Sequence, residues 1–183
     1  MSAPISAVAK ALARTGIAPN FLTLASLLIM STGLVIAVYT QNPLLMALTI
    51  SLSGLLDVLD GAVARSSQRI SQKGAFLDST IDKLNEVLIG LALAELGINP
   101  SLSVCFTGLS ITVSYIRSRA ESLGVKLEGV GLMERAERLI GSIVVFALMS
   151  FNHPLAELAV AIITLLTGVT VLQRIFYVLR ALP

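Results

Sequence analysis

The sequence is poor in charged residues. Only 13% of its 183 residues are charged, whereas 55% are hydrophobic, and the mean hydropathy is +0.88. A soluble domain of this size needs far more polar surface to cover its core. The scarcity of charge therefore predicts a chain whose natural solvent is the lipid bilayer.

Three other features that the sequence lacks limit the classes of protein to which it could belong. Cys105 is the single cysteine, so no disulfide can form within the chain. The net charge is only +2 and there is no basic stripe with interleaved aromatic residues, so no nucleic-acid partner is expected. The first 18 residues contain no sustained apolar run and no cleavage pattern, so no signal peptide is expected.

The hydrophobic runs predict six membrane-spanning helices. Each run is close to the ~20 residues that cross the hydrocarbon layer. The predicted spans are residues 20–40, 43–65, 74–97, 101–120, 136–152 and 154–177. There is no internal repeat and no low-complexity linker. We therefore expect an all-α integral membrane protein with one domain, residues 1–183, in which residues 20–177 form a six-helix bundle.

A short amphipathic segment precedes the first span. Within residues 3–15, Ile5, Val8 and Leu12 share one helical face, and the basic residues lie off that face. This pattern is typical of a helix that lies in the membrane interface.

The basic residues fall on one side of the predicted topology. They precede the first span, join the second span to the third, surround the connection from the fourth to the fifth, and lie at the end of the last. The remaining base, Lys83, is in the third span near its cytoplasmic end. The other connections, near residues 41–43, 97–100 and 151–154, carry no Lys or Arg. The positive-inside rule predicts that the basic side, with both termini, is cytoplasmic.

Four aspartates lie near the cytoplasmic ends of the second and third spans. Asp57 and Asp60 are three residues apart and share a helix face, as do Asp78 and Asp82, which are four apart. The polar hairpin of residues 66–73 brings these two helix ends together. An ionisable side chain in a membrane is costly, so the cluster indicates a functional site.

The predicted cluster favours a divalent metal. Four converging carboxylates repel one another at low dielectric. Hard cations with oxygen ligands relieve this repulsion, and two Mg²⁺ or Mn²⁺ ions fit better than one. No His or Cys is nearby in the sequence, which argues against zinc. The neighbouring small residues Gly61, Ala64 and Gly74 would let a phosphate approach the backbone, although such residues also serve helix packing in membranes.

The same residues carry a family resemblance. The pattern reads Asp57-Val-Leu-Asp60-Gly61-Ala-Val-Ala64-Arg65, followed after eight residues by Gly74-Ala-Phe-Leu-Asp78-Ser-Thr-Ile-Asp82. It resembles the signature of the CDP-alcohol phosphotransferases, with every fixed position filled. The resemblance implies that Asp57, Asp60 and Asp78 bind metal, and that Asp82 both contributes to the metal site and is the general base. It also implies a CDP site formed by Asn20, Thr23, Asp57, Asp60, Gly61, Ala64, Arg65, Gly74 and Asp78.

The resemblance implies a reaction of phospholipid biosynthesis. The hydroxyl of an acceptor attacks the lipid-side phosphorus of CDP-diacylglycerol or CDP-archaeol, and CMP leaves. Such phosphoryl chemistry leaves the protein mainly the tasks of positioning and electrostatic stabilisation. Members of the family are commonly homodimers, and Gly90, Ala92 and Ala94 would permit close helix packing.

A second basic cluster points to the acceptor. Five bases lie within residues 117–138, more than the topology requires. Arginine suits planar, bidentate recognition of phosphate, and the segment resembles the inositol-phosphate branch of the family. The resemblance implies an acceptor-phosphate pocket with the candidates Arg117, Arg119, Arg135, Arg138 and Arg174. The alternative is an ordinary positive-inside loop with internal salt bridges.

Inositol 1-phosphate is therefore the expected acceptor, and glycerol 3-phosphate is the alternative. Residues dominated by Leu, Ile, Val and Ala, with few Asn or Gln, hint at a thermophile and so at an archaeal lipid. A cation transporter or channel is a remote alternative, because it would distribute its charges across the membrane depth. A relic that only binds is disfavoured, because all four aspartates are present.

Overall fold

The computed structural model describes residues 3–182, and side chains from residue 7 onward. All regular structure in this part of the chain is α-helical, which confirms the predicted class. The helices are α1 (Ala3–Arg14), α2 (Pro19–Thr40), α3 (Pro43–Ser66), α4 (Gln72–Glu95), α5 (Pro100–Ser122), α6 (Arg135–Met149) and α7 (His153–Ala181). Their bounds lie within a few residues of the predicted ones.

Asparagine and proline start three of these helices. Asn42 accepts a hydrogen bond from the backbone N–H of Leu44, and Asn99 and Asn152 cap α5 and α7 in the same way. A proline follows in the first turn of each helix, where its missing N–H costs nothing. These caps make the short turns at the end of the bundle that lies away from the aspartates.

Helices α2 to α7 pack as a closed ring. The order around the ring is α2, α3, α6, α7, α5 and α4. The main hydrophobic core, which includes Met30, Ile50, Leu93, Phe146 and Val160, fills the end away from the aspartates. Helices α3 and α4 touch little, because α2 lies between them. At the aspartate end, residues of α2, α3 and α4 together line a cavity.

Helix α1 packs on the outside of this ring, against α3. Ala9 is completely buried, and it joins Leu59, Ala62 and Val63 in a second apolar cluster. Val8 is 48% exposed, so the packing face is centred one residue away from the predicted stripe. The side chain of Ile5 lies outside the described residues.

Among the described helices, three are long and apolar enough to cross a membrane by themselves: α2, α3 and α7. Helix α6 has only 15 residues, and α4 carries the charged residues of the aspartate motif. The presence of membrane-spanning helices agrees with the sequence-based expectation, and the number six stays a prediction.

Small residues hold neighbouring helices close together inside the chain. Gly33 packs against Thr49, Gly90 against Thr107 and Gly141 against Ile163. Ala92, like Gly90, is buried within the chain. These two residues thus serve internal packing and are not available to a dimer interface.

This packing predicts that Gly90→Ala lowers stability. An added Cβ would overlap the hydroxyl of Thr107 and lie 3.0 Å from its Cβ. That hydroxyl cannot rotate away without losing its bond to the carbonyl of Ser103, 2.8 Å long. We expect a loss of about 1–3 kcal/mol in the free energy of unfolding, measured by thermal denaturation in detergent.

Gly108→Ala is the matched control, because Gly108 is also helical and an added Cβ meets nothing within 4 Å. Helix propensity should stabilise this variant by up to about 1 kcal/mol. Equal stability of the two variants would show that α4 and α5 are not in close contact at Gly90.

Candidate active site

Three of the four aspartates converge. Asp57, Asp60 and Asp78 each offer a carboxylate oxygen, and these oxygens lie within 4.8 Å of one another. Asp60 is buried, and the other two are partly buried. A group of carboxylate oxygens at this spacing fits a hard divalent cation such as Mg²⁺ or Mn²⁺. The convergence that the sequence spacing predicts for four aspartates is thus present in the fold for three of them.

A threonine from α2 holds the most buried of these aspartates. The hydroxyl of Thr23 donates a 2.6 Å hydrogen bond to Asp60 Oδ2, and Thr23 itself is only 4% exposed. Helix α2 can supply this contact because it lies between α3 and α4. Thr23, a candidate for nucleotide binding, therefore also orients a carboxylate of the aspartate group.

The fourth aspartate is paired with an arginine. Asp82 forms an ion pair with Arg135, whose guanidinium also donates to both oxygens of Asp57, at 2.7 and 3.2 Å. The pairing compensates negative charge in a partly desolvated place. Arg135, a candidate for the acceptor phosphate, thus reaches the aspartates. No local pattern indicates this contact, because Arg135 and Asp57 are 78 residues apart.

A cavity of about 250 Å³ opens beside the cluster, between the start of α2 and the hairpin that joins α3 to α4. Eight of the nine predicted CDP-binding residues line it, and Asp57 is the exception. The eight are Asn20, Thr23, Asp60, Gly61, Ala64, Arg65, Gly74 and Asp78.

Two polar residues of the hairpin, Arg69 and Ser71, also line this cavity, and the sequence motif does not single them out. Ser71 caps α4 by accepting a hydrogen bond from the N–H of Gly74. A Cβ at Gly74 would come within 3.1 Å of Asn20 Oδ1, so a glycine here keeps the cavity wall open.

A second cleft, of about 560 Å³, lies on the other side of the cluster. Asp78 lines both cavities, and Asp82 lines only the second. Four of the five predicted acceptor arginines line the second cleft: Arg117, Arg135, Arg138 and Arg174. The structure does not bring Arg119 to it, because helix positions two residues apart point in different directions.

Two of these arginines are buried and bonded to the protein. Arg138 donates to Glu86 Oε1 at 2.7 Å and to the carbonyl of Met133 at 2.9 Å. Arg174 donates to the carbonyls of Val113 and Val130, at 2.8 and 2.9 Å. Both side chains therefore contribute to the structure of the cleft wall as well as to its positive charge.

Lys83 is a cleft residue that the sequence motif does not indicate. Its ammonium group donates to Ser114 Oγ at 2.8 Å and pairs with Glu86 at 3.1 Å. Lys83 directly follows Asp82 in the chain. The one feature of the sequence that could have indicated a functional role is the position of this charged residue within a predicted span.

Comparisons with known proteins agree with this arrangement. A family model described as CDP-alcohol phosphatidyltransferase matches residues 16–173. The archaetidylinositol phosphate synthase of Aeropyrum pernix is 37% identical over 171 residues, which cover 93% of this chain and 88% of the relative. The phosphatidylinositol phosphate synthase of Mycolicibacterium smegmatis is 35% identical and covers 92% and 80%.

Solved structures share the fold. The phosphatidylinositol phosphate synthase of Mycobacterium tuberculosis with CDP-DAG bound superposes with a TM-score of 0.84 at 25% identity, over 95% of this chain and 92% of that one. The same enzyme in complex with manganese and citrate gives a TM-score of 0.83 at 24% identity, over 95% and 88%. On the sequence evidence, this chain belongs to the CDP-alcohol phosphatidyltransferase family.

Proposed function

We propose that this protein transfers the phosphatidyl or archaetidyl group of a CDP-linked lipid to the hydroxyl of inositol 1-phosphate and releases CMP. The observation that carries the proposal is the pair of cavities that meet at Asp78, one lined by the family motif and the other by arginines. Relatives named as archaetidylinositol and phosphatidylinositol phosphate synthases support the same acceptor.

CDP-archaeol is the first candidate for the lipid substrate, and CDP-diacylglycerol is the second. Two archaeal relatives at 37% identity, from Aeropyrum pernix and Pyrococcus horikoshii, are named archaetidylinositol phosphate synthases. The diacylglycerol alternative has support from the bacterial relatives and from the mycobacterial structure with CDP-DAG.

The aspartates would hold Mg²⁺ or Mn²⁺. Asp57, Asp60 and Asp78 would form one group of ligands. Asp82 would complete a site for two ions if it exchanged its ion pair with Arg135 for contact with a metal ion. Bound there, divalent cations neutralise pyrophosphate oxygens and stabilise the CMP leaving group.

The protein's own residues divide the remaining work between the two cavities. The first cavity binds the CDP moiety, with Asn20 and Arg65 in its wall. The second binds the acceptor phosphate against the cationic wall that Arg117 and Arg174 help to form. Asp82 faces the second cavity and takes the proton of the acceptor hydroxyl. The oxygen of that hydroxyl bonds to the lipid-side phosphorus, and the bond between this phosphorus and CMP breaks.

We further propose that all of α2 to α7 cross the membrane, with the aspartate end cytoplasmic. Helices α4, α5 and α6 lack a long enough apolar run of their own, but they expose Leu91, Val104 and Ile140 on the outside of the ring. The basic residues lie at the aspartate end, as the positive-inside rule requires of a cytoplasmic face. We also propose that residues 1–183 form a single domain and that the protein is a homodimer.

Two alternatives remain distinct from this proposal. Glycerol 3-phosphate would use the same chemistry, and its phosphate would suit the same cationic cleft. A cation path would require charged residues through the depth of the bundle. The described core at the far end is instead apolar, with Met46, Leu93 and Phe146 buried there.

Asp82→Asn should abolish turnover and leave binding of the CDP-lipid intact. The amide cannot accept the hydroxyl proton, and Asp82 does not line the CDP cavity. We expect kcat to fall by at least ~100-fold, measured as CMP release, with the dissociation constant of the CDP-lipid unchanged. Asp60→Asn is the matched control, because it should lose both. An active Asp82→Asn enzyme would exclude this residue as the base.

Mn²⁺ binding should depend on the aspartate group. Titration followed by electron paramagnetic resonance should show bound Mn²⁺ in the wild type, and at least ~10-fold weaker binding in Asp57→Asn and Asp60→Asn. Glu95→Gln, at the far end of α4, should bind as the wild type does. EDTA should remove activity, and Mg²⁺ or Mn²⁺ should restore it. Undiminished binding in both aspartate variants would contradict the assigned site.

Arg117→Gln should weaken acceptor binding more than Arg119→Gln. Arg117 lines the second cleft, and Arg119 does not. We expect the KM for inositol 1-phosphate to rise about 10-fold in the first variant and less than about twofold in the second. The KM for the CDP-lipid should stay constant in both. Wild-type turnover that is faster with glycerol 3-phosphate would replace the proposed acceptor.

A further inference from the structure

A small cavity lies behind the pair formed by Arg135 and the aspartates. Its volume is about 10 Å³, and its polar lining comes from three helices: Glu86 of α4, Ser110 of α5, and Arg135, Arg138 and Ser142 of α6. A cavity needs roughly 10–15 Å³ of this volume to hold a single water molecule. Its size therefore admits one water and excludes a larger ligand.

Four of these five residues each have one buried polar atom without a hydrogen-bond partner among the described residues, whereas the hydroxyl of Ser142 donates to the carbonyl of Arg138 at 2.8 Å. The atoms are Glu86 Oε2, Ser110 Oγ, Arg135 Nε and Arg138 Nε, and each exposes less than 1 Å². Native proteins rarely leave such atoms unpaired, because a buried donor or acceptor then loses its hydration without replacement.

The other polar atoms of these side chains are already engaged. Glu86 Oε1 accepts from Arg138 Nη2 at 2.7 Å, and Arg138 Nη1 donates to the carbonyl of Met133 at 2.9 Å. The terminal nitrogens of Arg135 contact Asp57 and Asp82. The unpaired atoms of Glu86, Arg135 and Arg138 are therefore held in place, because these side chains cannot turn to pair them without breaking existing ion pairs.

The chemistry of the four atoms matches a water molecule. Two of them are N–H donors, and the carboxylate and hydroxyl oxygens can accept. One water can accept from both Nε–H groups and donate to Glu86 and Ser110. A metal cation is disfavoured by the two guanidinium groups, and an anion by the carboxylate.

We propose that one water molecule is bound permanently in this cavity, and that through it Glu86 and Ser110 act as positioning residues for Arg135. The water fixes Nε at the back of the guanidinium, while the terminal nitrogens face Asp57 and Asp82 at the front. The expected effect on rate rests on the proposed function, whereas the occupancy of the cavity does not.

Ser110→Val tests the proposal, because the added methyl groups fill the cavity and displace the water. Ser103→Val is the matched control. Ser103 lies two turns earlier on α5, is equally buried at 1% against 2%, and bonds only the backbone carbonyl of Asn99.

We expect kcat to fall about tenfold in Ser110→Val, with the KM for the CDP-lipid unchanged, and to stay within about twofold of the wild type in Ser103→Val. Equal kcat values in Ser110→Val and Ser103→Val would overturn the positioning role.

A density map of the wild-type protein at a resolution that shows ordered water gives a second test, which needs neither a folded variant nor activity. A density peak within hydrogen-bond distance of all four atoms supports the proposal. Side chains that fill the cavity, with both Nε–H groups donating to protein oxygens, would refute it. A wild type that is inactive with inositol 1-phosphate would refute the proposed function, and the map would still decide the water site.

Discussion

The cost of gathering carboxylates in a poorly hydrated place governs this structure. Four aspartates near one end of a bundle cannot stay ionised together unless other groups supply compensating charge or hydrogen bonds. The chain provides these in three ways: Thr23 donates from α2, Arg135 reaches in from α6, and the spacing of the carboxylates on α3 and α4 would suit a divalent cation. Ring closure of the helices is what brings these sources together.

Much of the fold and of the CDP site was predictable because the signals are local. Apolar runs, Asn-Pro starts and the spacing of the aspartates depend on residues a few positions apart. The helix bounds follow from them, and the lining of the first cavity follows from the resemblance to the CDP-alcohol phosphotransferases that the aspartate motif carries. Helical spacing also explains why Arg117 lines the second cleft and Arg119 does not, since helix positions two residues apart point in different directions.

The remaining features depend on contacts that no local pattern encodes. Arg135 pairs with Asp57 across 78 residues, and Arg138 with Glu86 across 52. The order of helices around the ring decides these pairs, and periodicity is silent on that order. For the same reason the arginines read from the sequence as one phosphate pocket, whereas the structure divides them between the aspartates, a buried glutamate and backbone carbonyls.

The separation of Asp57 from Arg135 has a consequence for biogenesis. A chain enters the membrane from its N-terminus, so α3 and α4 are made before the arginine of α6 that pairs with their aspartates. An insertion intermediate that ends before residue 135 holds acidic side chains near the bilayer without that counter-charge. Synthesis of Arg135, at the start of α6, thus supplies a counter-charge that the aspartates of α3 and α4 lack until then.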